Sequence, residues 1–196
     1  MSMNIFYRLE NKLFVNITNA CPCNCIFCIR KLTDGMNENE SLWLEREPTI
    51  DEIKAAFDAR HDVHEVEEIV FCGFGEPMER AEDVITLLRY FKKSCNKKIR
   101  INTNGLIRLI NPDFDISQLA EADSVSISLN ADDAEEYNRV TRPRFGKASY
   151  EEMLSFAATI KNYTNVTLSI VGVLEPDRIE NCRKIAENLG VAFRVR

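Results

Sequence analysis

The chain of 196 residues has no run of 18 apolar residues, and its first ten residues lack the charged start and apolar core of a signal peptide. It also has no Pro-, Gly- or Ser-rich or low-complexity stretch that would divide it. Its 45% hydrophobic content is enough to fill one core. We therefore expect a single domain, residues 1–196, that is soluble, cytoplasmic and not attached to a membrane.

Positive charge is also in short supply. The 25 Lys and Arg residues are outnumbered by 31 Asp and Glu residues, which gives a net charge of −6. This balance opposes general attraction to a nucleic-acid backbone, although residues 92–100 and 139–147 are locally basic. Charge therefore does not favour nucleic acid as a partner.

Cysteine is abundant by contrast, since four of the seven cysteines fall between residues 21 and 28. In a reducing compartment such thiols bind metal more often than they form disulfides. Cys21, Cys25 and Cys28 are separated by three and then two residues, directly after a predicted strand. Thiolates on one such loop can wrap an iron–sulfur cluster, and three ligands leave one iron of a cubane open.

Two points about this loop stay open at the level of sequence. A structural zinc site typically takes four ligands in two separated pairs, and no second Cys or His pair stands at suitable spacing, so zinc is the weaker alternative. Cys23 could join Cys25 or Cys28 in other ligand sets in an oxidised or zinc-loaded protein. We expect it to be a spectator.

Apolar runs alternate with helical patterns along the rest of the chain. A short strand at Ile5–Arg8 would form a hairpin with the first of six strands, and the six are themselves largely apolar. Strands alternating with helices predict an α/β fold with right-handed parallel βα units, here a partial (βα)6 barrel with an N-terminal hairpin extension. The six strands are predicted at Lys12–Thr18, Glu67–Cys72, Lys98–Asn102, Ser124–Leu129, Asn165–Leu174 and Val191–Val195.

Helix starts are predicted from capping boxes, in which a hydroxyl and a carboxylate three residues apart bind free backbone N–H groups. Thr49 with Glu52 and Ser149 with Glu152 fit this pattern. Apolar residues at helical spacing in 84–91, and again in 179–189 before Gly190, predict two amphipathic helices that pack on the sheet.

Small and polar residues follow the predicted strands. Gly73-Phe74-Gly75-Glu76-Pro77 comes after the second strand, where glycines would let the backbone approach a ligand. Thr103 follows the third strand, and Ser128 and Asn130 lie at the end of the fourth. The carboxyl ends of parallel strands are where such folds place their chemistry, although turn formation alone would also explain these residues.

Taken together, the cysteine spacing with Phe27 before its last cysteine and the strand-end motifs resemble the radical S-adenosylmethionine (SAM) superfamily. The resemblance spans residues 14–175. It implies a 4Fe–4S cluster on Cys21, Cys25 and Cys28, whose open iron is chelated by the amino and carboxylate groups of SAM. It further implies reductive cleavage of SAM to methionine and a 5′-deoxyadenosyl radical, which abstracts hydrogen from an unidentified substrate.

The resemblance also implies the residues that contact SAM. The glycine-rich segment would hold the methionine amino group, although Phe74 interrupts the usual glycine pair. In the fifth-strand pattern near the adenine, Leu168 stands where the first glycine is often found, while the later Ile, Gly and Glu match. The implied cofactor-binding residues are Phe27, Gly73, Phe74, Gly75, Glu76, Thr103, Ser128, Asn130 and Val173.

Residues 13–19, 27–30 and 139–146 are similar to TatD-associated radical SAM proteins. That resemblance implies an electron donor such as flavodoxin or ferredoxin and a pathway link to a TatD-like metal-dependent hydrolase. Two alternatives remain at this level: a glycyl-radical-enzyme activating enzyme, which shares the cysteine spacing, and a noncatalytic iron–sulfur module, which predicts no SAM binding.

Two segments could serve the substrate. Lys31–Pro48, with Trp43, suits either a lid or a surface loop whose tryptophan packs on the core. Arg139, Arg142 and Arg144 could clamp a carboxylate or phosphate, or could simply be solvated surface charge.

Overall fold

The computed structural model describes residues 3–37 and 40–196 of the chain. Within these residues, an N-terminal hairpin is followed by strands that alternate with helices. The strands are β1 (Phe6–Leu9), β2 (Lys12–Val15), β3 (Gly35–Asn37), β4 (Glu40–Ser41), β5 (Glu68–Phe71), β6 (Lys98–Thr103), β7 (Ser124–Ser128), β8 (Asn165–Ile170) and β9 (Ala192–Val195). The α-helices are α1 (Ile50–Asp58), α2 (Ala81–Ser94), α3 (Ile107–Ile110), α4 (Ala134–Thr141), α5 (Ala148–Ile160) and α6 (Pro176–Leu189).

Seven of the strands form one sheet in the spatial order β1-β2-β5-β6-β7-β8-β9. β1 and β2 pair antiparallel, and every later neighbour pairs parallel. In the described part of the chain, β1 and β9 remain as open edges, so the sheet does not close into a full barrel. The predicted α/β fold, a partial barrel of six parallel strands with a hairpin extension, is confirmed.

One face of this sheet is apolar because alternate residues of each strand point toward the helices. Ile69, Ile127 and Leu168 are all fully buried on that face. Helix α2 covers part of it, and its apolar residues at helical spacing are buried as the sequence predicts. The core therefore lies between the helices and the outer face of the sheet. The opposite, concave face does not pack against these helices.

One predicted helix start is confirmed and one is wrong. Thr49 caps α1 in a capping box with Glu52. Ser149, however, lies inside α5, because the turn that begins at Gly146 already bonds the Ser149 N–H to the Gly146 carbonyl at 3.1 Å. Glu152 then binds Arg108 instead of a cap, with 2.6 Å between the Glu152 carboxylate and Arg108 Nε.

Two strands end three or four residues earlier than predicted. β2 ends at Val15 rather than Thr18, since the Thr18 hydroxyl accepts the Ala20 N–H at 2.9 Å and turns the chain into the cysteine loop. β8 ends at Ile170 rather than Leu174, because the chain turns just beyond it, where the Val173 N–H donates to the Val171 carbonyl at 2.7 Å.

Candidate functional site: the cysteine loop and the strand ends

The cysteine loop, residues 19–28, leaves the carboxyl end of β2 and crosses to the end of α4. Backbone N–H groups of Asn24 and Ile26 donate to the carbonyls of Thr141 and Val140, both at 2.9 Å. The Arg144 N–H donates back to the Pro22 carbonyl at 2.8 Å. The end of α4 and the turn after it therefore hold the cysteine loop in place. The sequence did not predict this role, because the two segments are more than 110 residues apart.

Two cations fold back over the same loop. Lys31 Nζ donates to the carbonyls of Asn24 and Cys25, at 3.1 and 2.7 Å. Arg30 Nη2 donates to the Cys23 carbonyl at 3.1 Å. These bonds occupy loop carbonyls and place positive charge beside the thiols, which favours the thiolate form that binds iron.

The cysteine side chains differ in burial and in charge preference. Cys23 is buried, whereas Cys21, Cys25 and Cys28 are partly exposed. Hydrogen bonding from the Cys23 thiol lowers the pKa of both Cys21 and Cys25, and the same bonds raise the pKa of Cys23 itself. Cys21 and Cys25 are thus the favoured thiolates, and Cys23 is the protonated donor between them.

Within the described ranges, no group of three or more His, Cys, Asp or Glu side chains converges as ligands of one metal ion. A cubane imposes a different demand. Each cysteine binds a different iron, so the ligand sulfurs surround a cluster rather than a point.

Gly73 and Gly75 are required by the protein itself. A Cβ atom on Gly73 would lie 2.0 Å from Asn16 Oδ1, and one on Gly75 would lie 2.2 Å from the Thr18 carbonyl oxygen. The sequence predicts that these glycines let the backbone approach a ligand. In the structure they permit close passage of residues 16–20, which lead into the cysteine loop.

Glu76 ties three loops together from a buried position. Its carboxylate accepts the N–H groups of Asn104 at 2.7 Å and Met78 at 3.1 Å, and its own N–H donates to the Ala20 carbonyl at 2.8 Å. Burial raises its pKa to about 7, against hydrogen bonds that oppose the rise. Glu76 is therefore a structural link between the cysteine loop and the ends of β5 and β6.

The remaining strand-end residues differ in how far their polar groups are engaged. The Thr103 hydroxyl accepts the Gly105 N–H at 3.0 Å and hydrogen-bonds to Glu76, so it is engaged by the protein. Ser128 Oγ lies 3.2 Å from Arg196 Nη2. Asn130 is buried with φ of 56°, and among the described residues its Oδ1 atom has no hydrogen-bond partner. An unpaired buried acceptor at this rim is suited to a ligand donor.

Phe27 and Val173, which lie far apart in the sequence, come together in the structure. Both line a cavity of about 260 Å³, with Val140 and Leu174 as further apolar walls. Val173 is 60% exposed, so part of this apolar surface faces solvent. The sequence-predicted walls of an adenine site thus share one small apolar cleft beside the cysteine loop.

Phe74 belongs to a second and larger cavity, of about 590 Å³, on the concave face of the sheet. Its ring meets Trp43 edge-on with centroids 5.1 Å apart, and it packs in a small cluster with Tyr7 and Leu42. The same cavity is lined by Gly73 and by Asn102. The alternation of β6 points Asn102 into this cavity, whereas Thr103 points the other way.

The segment after the cysteine loop is anchored at its second half. Asn19 exchanges hydrogen bonds with the backbone of Leu44, at 2.7 and 3.1 Å, and Asn16 Nδ2 donates to the Leu42 carbonyl at 2.8 Å. Trp43 packs edge-on against Phe74 and is 39% exposed. Residues 38 and 39 of the predicted lid lie outside the described residues.

The three arginines proposed as a clamp have separate local roles. Arg139 binds Glu136 through two contacts of 2.6 Å, and Arg144 lies 3.5 Å from Glu79. Arg142 caps α4 in a left-handed conformation, with φ of 47°. Arg139 and Arg144 therefore pair with local carboxylates.

None of the helices in the described ranges is long and apolar enough to cross a membrane.

Comparison with known families agrees with this arrangement. A family model described as the Radical SAM superfamily matches residues 15–185. GTP 3′,8-cyclase of Corynebacterium glutamicum is 32% identical over an alignment of 145 positions that covers 70% of this chain and 35% of that protein. The probable dual-specificity RNA methyltransferase RlmN of Thermotoga sp. (strain RQ2) is 28% identical over an alignment of 204 positions, gaps included, that covers 96% of this chain and 54% of that protein.

Solved structures show the same fold. A structure of TYW1 with a lysine-pyruvate adduct bound has a TM-score of 0.63 at 20% identity, over 95% of this chain and 65% of that one. A crystal structure of archaeal TYW1 has a TM-score of 0.58 at 14% identity, and the match covers 95% of this chain and 64% of that one. The chain spans about half or less of the curated relatives described above. The family match and the enzyme-named relatives identify the chain as an enzyme rather than a noncatalytic module.

Proposed function

Because this chain belongs to the radical SAM superfamily, whose members imply a 4Fe–4S cluster and SAM, we propose that it cleaves SAM reductively at a cluster held by Cys21, Cys25 and Cys28. The observation that carries this proposal is the position of the cysteine loop. It leaves the carboxyl end of β2 with three partly exposed cysteines and lies between two cavities. The substrate that the reaction acts on is open.

The loop fits a cluster in its donor chemistry. Cys21 and Cys25 have lowered thiol pKa values, and Arg30 and Lys31 add positive charge that favours thiolates and would offset the negative charge of a thiolate-ligated cluster. Cys23 is buried and hydrogen-bonds to its neighbours, which fits a supporting residue better than a ligand. A three-cysteine set leaves one iron free for SAM.

SAM fits the strand ends in two places. The unpaired Oδ1 of Asn130 offers a buried acceptor for a ribose hydroxyl, and the apolar cleft between Phe27 and Val173 is suited to the adenine ring. Gly73, Phe74 and Gly75 would lie against the methionine moiety. Thr103 and Glu76 would act by fixing the backbone there, since their side chains are already hydrogen-bonded to the protein.

When bound, the cluster and SAM supply a 5′-deoxyadenosyl radical that abstracts hydrogen from a substrate. The chain's own contribution is to position and to shield. Glu76 fixes the β5 and β6 loops relative to the cysteine loop, and the backbone of residues 140–144 holds that loop from the other side. Such fixed geometry holds reacting groups in place and keeps competing solvent away.

Several finer points belong to the same proposal. An enzyme of this family needs a reductant, and we propose a small carrier such as flavodoxin or ferredoxin in the cytoplasm. We also propose that residues 1–196 form one radical SAM core. From the resemblance of residues 13–19, 27–30 and 139–146 to TatD-associated radical SAM proteins, we further propose a pathway link to a metal-dependent hydrolase. A glycyl-radical activating role gains no specific support from the described residues.

The test is SAM binding to the reconstituted cluster. In electron paramagnetic resonance, addition of SAM to the reduced protein is expected to change the cluster signal, because SAM occupies the open iron. Asn130→Ala is expected to weaken SAM binding, and Asn162→Ala, on the surface after α5, is the matched control. A signal that is unchanged by saturating SAM would contradict the proposal.

A further inference from the structure

Most of the charged residues that line the larger cavity, on the concave face, are positive. It is lined by Lys12, Arg100, Arg194 and Arg196, while Glu10 is the one carboxylate residue lining it within the described part of the chain. The whole chain has a net charge of −6, so this is a local excess of cations on an acidic protein. Such a patch inside a cleft concentrates field and attracts anions.

Only one of the three arginines is neutralised by a neighbour. Arg100 binds Glu68 through two contacts of 3.0 and 2.9 Å, and its third nitrogen donates to Asn102 Oδ1 at 2.7 Å. Arg194 and Arg196 form no ion pair with any carboxylate side chain in residues 3–35 or 41–196. Two guanidinium groups are therefore available to a ligand at the β9 side of the cavity.

Arg196 lies close enough to the other two arginines to feel their charge. Desolvation is the largest cause that lowers its pKa, the positive charges of Arg194 and Arg100 lower it as well, and Cys72 acts in the opposite direction. The Arg196 backbone is fixed by bonds to Ile170 and Gly172, and Nη2 reaches Ser128 at 3.2 Å, so the side chain is oriented across the sheet. An anion bound between the arginines would remove this repulsion.

The opposite wall of the cavity is flat and apolar. Tyr7 and Phe14 stack with ring centroids 5.0 Å apart and an interplanar angle of 17°, and Phe74 and Leu42 continue that wall. Ile29, which directly follows Cys28, closes the side nearest the cysteine loop. A volume of about 590 Å³ is in the usual range for small-molecule sites.

We propose that this cavity binds the substrate as an organic anion, with a carboxylate or phosphate between Arg194 and Arg196 and a flat apolar body against Tyr7 and Phe14. The inference rests on the proposed function, since it takes the ligand beside the cysteine loop to be the molecule on which the enzyme acts. Guanidinium groups bind both carboxylate and phosphate through paired hydrogen bonds, so the two anions share one recognition chemistry.

The test uses three simple probes with the cluster-reconstituted protein: phenyl phosphate, benzoate and neutral phenol, each measured by titration calorimetry with and without SAM. At least one anion is expected to bind at least about tenfold more tightly than phenol, because a charge-assisted hydrogen bond is the stronger kind. The comparison of phenyl phosphate with benzoate decides between phosphate and carboxylate.

Arg194→Gln is expected to weaken binding of that anion about tenfold or more. Arg183→Gln is the matched control, because Arg183 lies over Phe193 on the other face of β9, 5.0 Å from the ring centroid. It should alter anion binding less than twofold. Arg196→Gln serves as a second variant, and an unchanged melting temperature identifies variants that fold.

Equal binding of phenol, no binding of either anion, or unchanged affinity in both Arg194→Gln and Arg196→Gln would overturn the inference. So would a rise in the KM for SAM that matches the loss of anion binding, since the arginines would then serve the SAM carboxylate. If the anion binds as expected but the cluster never responds to SAM, the anion site stands and the proposed function fails.

Discussion

The two faces of the sheet have opposite compositions within the same strands. On β8, Leu168 is fully buried under the helices, while its neighbour Ser169 points to the concave side and hydrogen-bonds to the Ile127 carbonyl at 3.3 Å. On β6, Ile101 faces the helices, while Arg100 and Asn102 face the cavity. One face therefore supplies the core, and the other presents polar and charged groups toward ligands.

The comparison separates what holds the protein together from what it acts with. Burial of apolar area on the helical face is the main source of stability. The concave face also buries some side chains, such as Val70, but it carries the charged and polar groups that line the cavity beside the cysteine loop. Mutations on the two faces should therefore have different signatures, and the following predictions test that division.

The largest effect is expected at the cysteine loop, where the concave face ends. Alanine at Cys21, Cys25 or Cys28 should each remove nearly all cluster iron, because a cubane needs three protein thiolates to remain bound. Cys23→Ala is the matched control and should keep its iron. Iron and sulfide analysis after anaerobic reconstitution provides the measurement, and iron loss in Cys23→Ala would reverse our ligand assignment.

On the helical face, Leu168→Ala should lower the free energy of unfolding by about 3 kcal/mol, since a buried leucine leaves a cavity. Ser169→Ala, one residue further along β8, should cost about 1 kcal/mol or less. Denaturant titration of both variants gives the difference directly. Similar losses for the two residues would break the division between the faces.

Glu76 sharpens the comparison through pH, because it is a buried carboxyl that serves structure at the rim. Its pKa of about 7 in the folded protein exceeds the ordinary value of 4.5, so the folded state binds more protons between these values. The stability that comes from the protonated carboxyl is present below pH 4.5 and is lost as the pH rises through 7.

In Glu76→Gln the side chain does not titrate. Relative to this variant, the free energy of unfolding of the wild type should therefore fall by up to about 3 kcal/mol between pH 4.5 and pH 8. Thermal or denaturant unfolding of both proteins across this range measures the difference. A difference that stays constant with pH would show that Glu76 has an ordinary pKa in the folded protein.

The smallest effect is expected at Arg142, the left-handed residue that ends α4. Arg142→Gly should stabilise the protein by about 0.5 kcal/mol, because glycine relieves backbone strain but adds freedom to the unfolded chain. Arg139→Gly, inside α4, should instead destabilise it by about 1 kcal/mol. Unfolding midpoints distinguish the two, and a loss of stability in Arg142→Gly would indicate that its side chain has a structural contact.

The fold was predictable from the sequence because the apolar face repeats locally. The alternation in residues 98–102 and 124–129 and the helical spacing in 84–91 require only neighbours in the chain. The failures are equally local in cause. Ser149 fits a capping pattern, but a turn that begins at Gly146 uses its N–H first, and competition of that kind is invisible in a four-residue motif.

The concave face was only partly predictable. Cysteine spacing locates the cysteine loop. The hydrogen bonds of residues 140–144 to that loop and the proximity of Phe27 to Val173 depend instead on contacts across the fold. Arg194 was missed although its strand was predicted, because a cation at the end of an edge strand is ordinarily a solvated residue. The alternation of Arg194 with Phe193 was the available signal that the two side chains lie on opposite faces of the strand. That signal indicates a cation cluster only once Arg100 and Arg196 are seen to line the same cavity.

The central claim is that this cysteine loop supports reductive cleavage of SAM. The most direct measurement is chromatographic assay of 5′-deoxyadenosine after the reconstituted, reduced protein is mixed with SAM, with Cys25→Ala as the negative control and Cys23→Ala as the positive one. We expect product from the wild type and from Cys23→Ala and none from Cys25→Ala. Equal product from Cys25→Ala, or none from a wild type whose cluster is intact, reduced and bound to SAM, would contradict this claim.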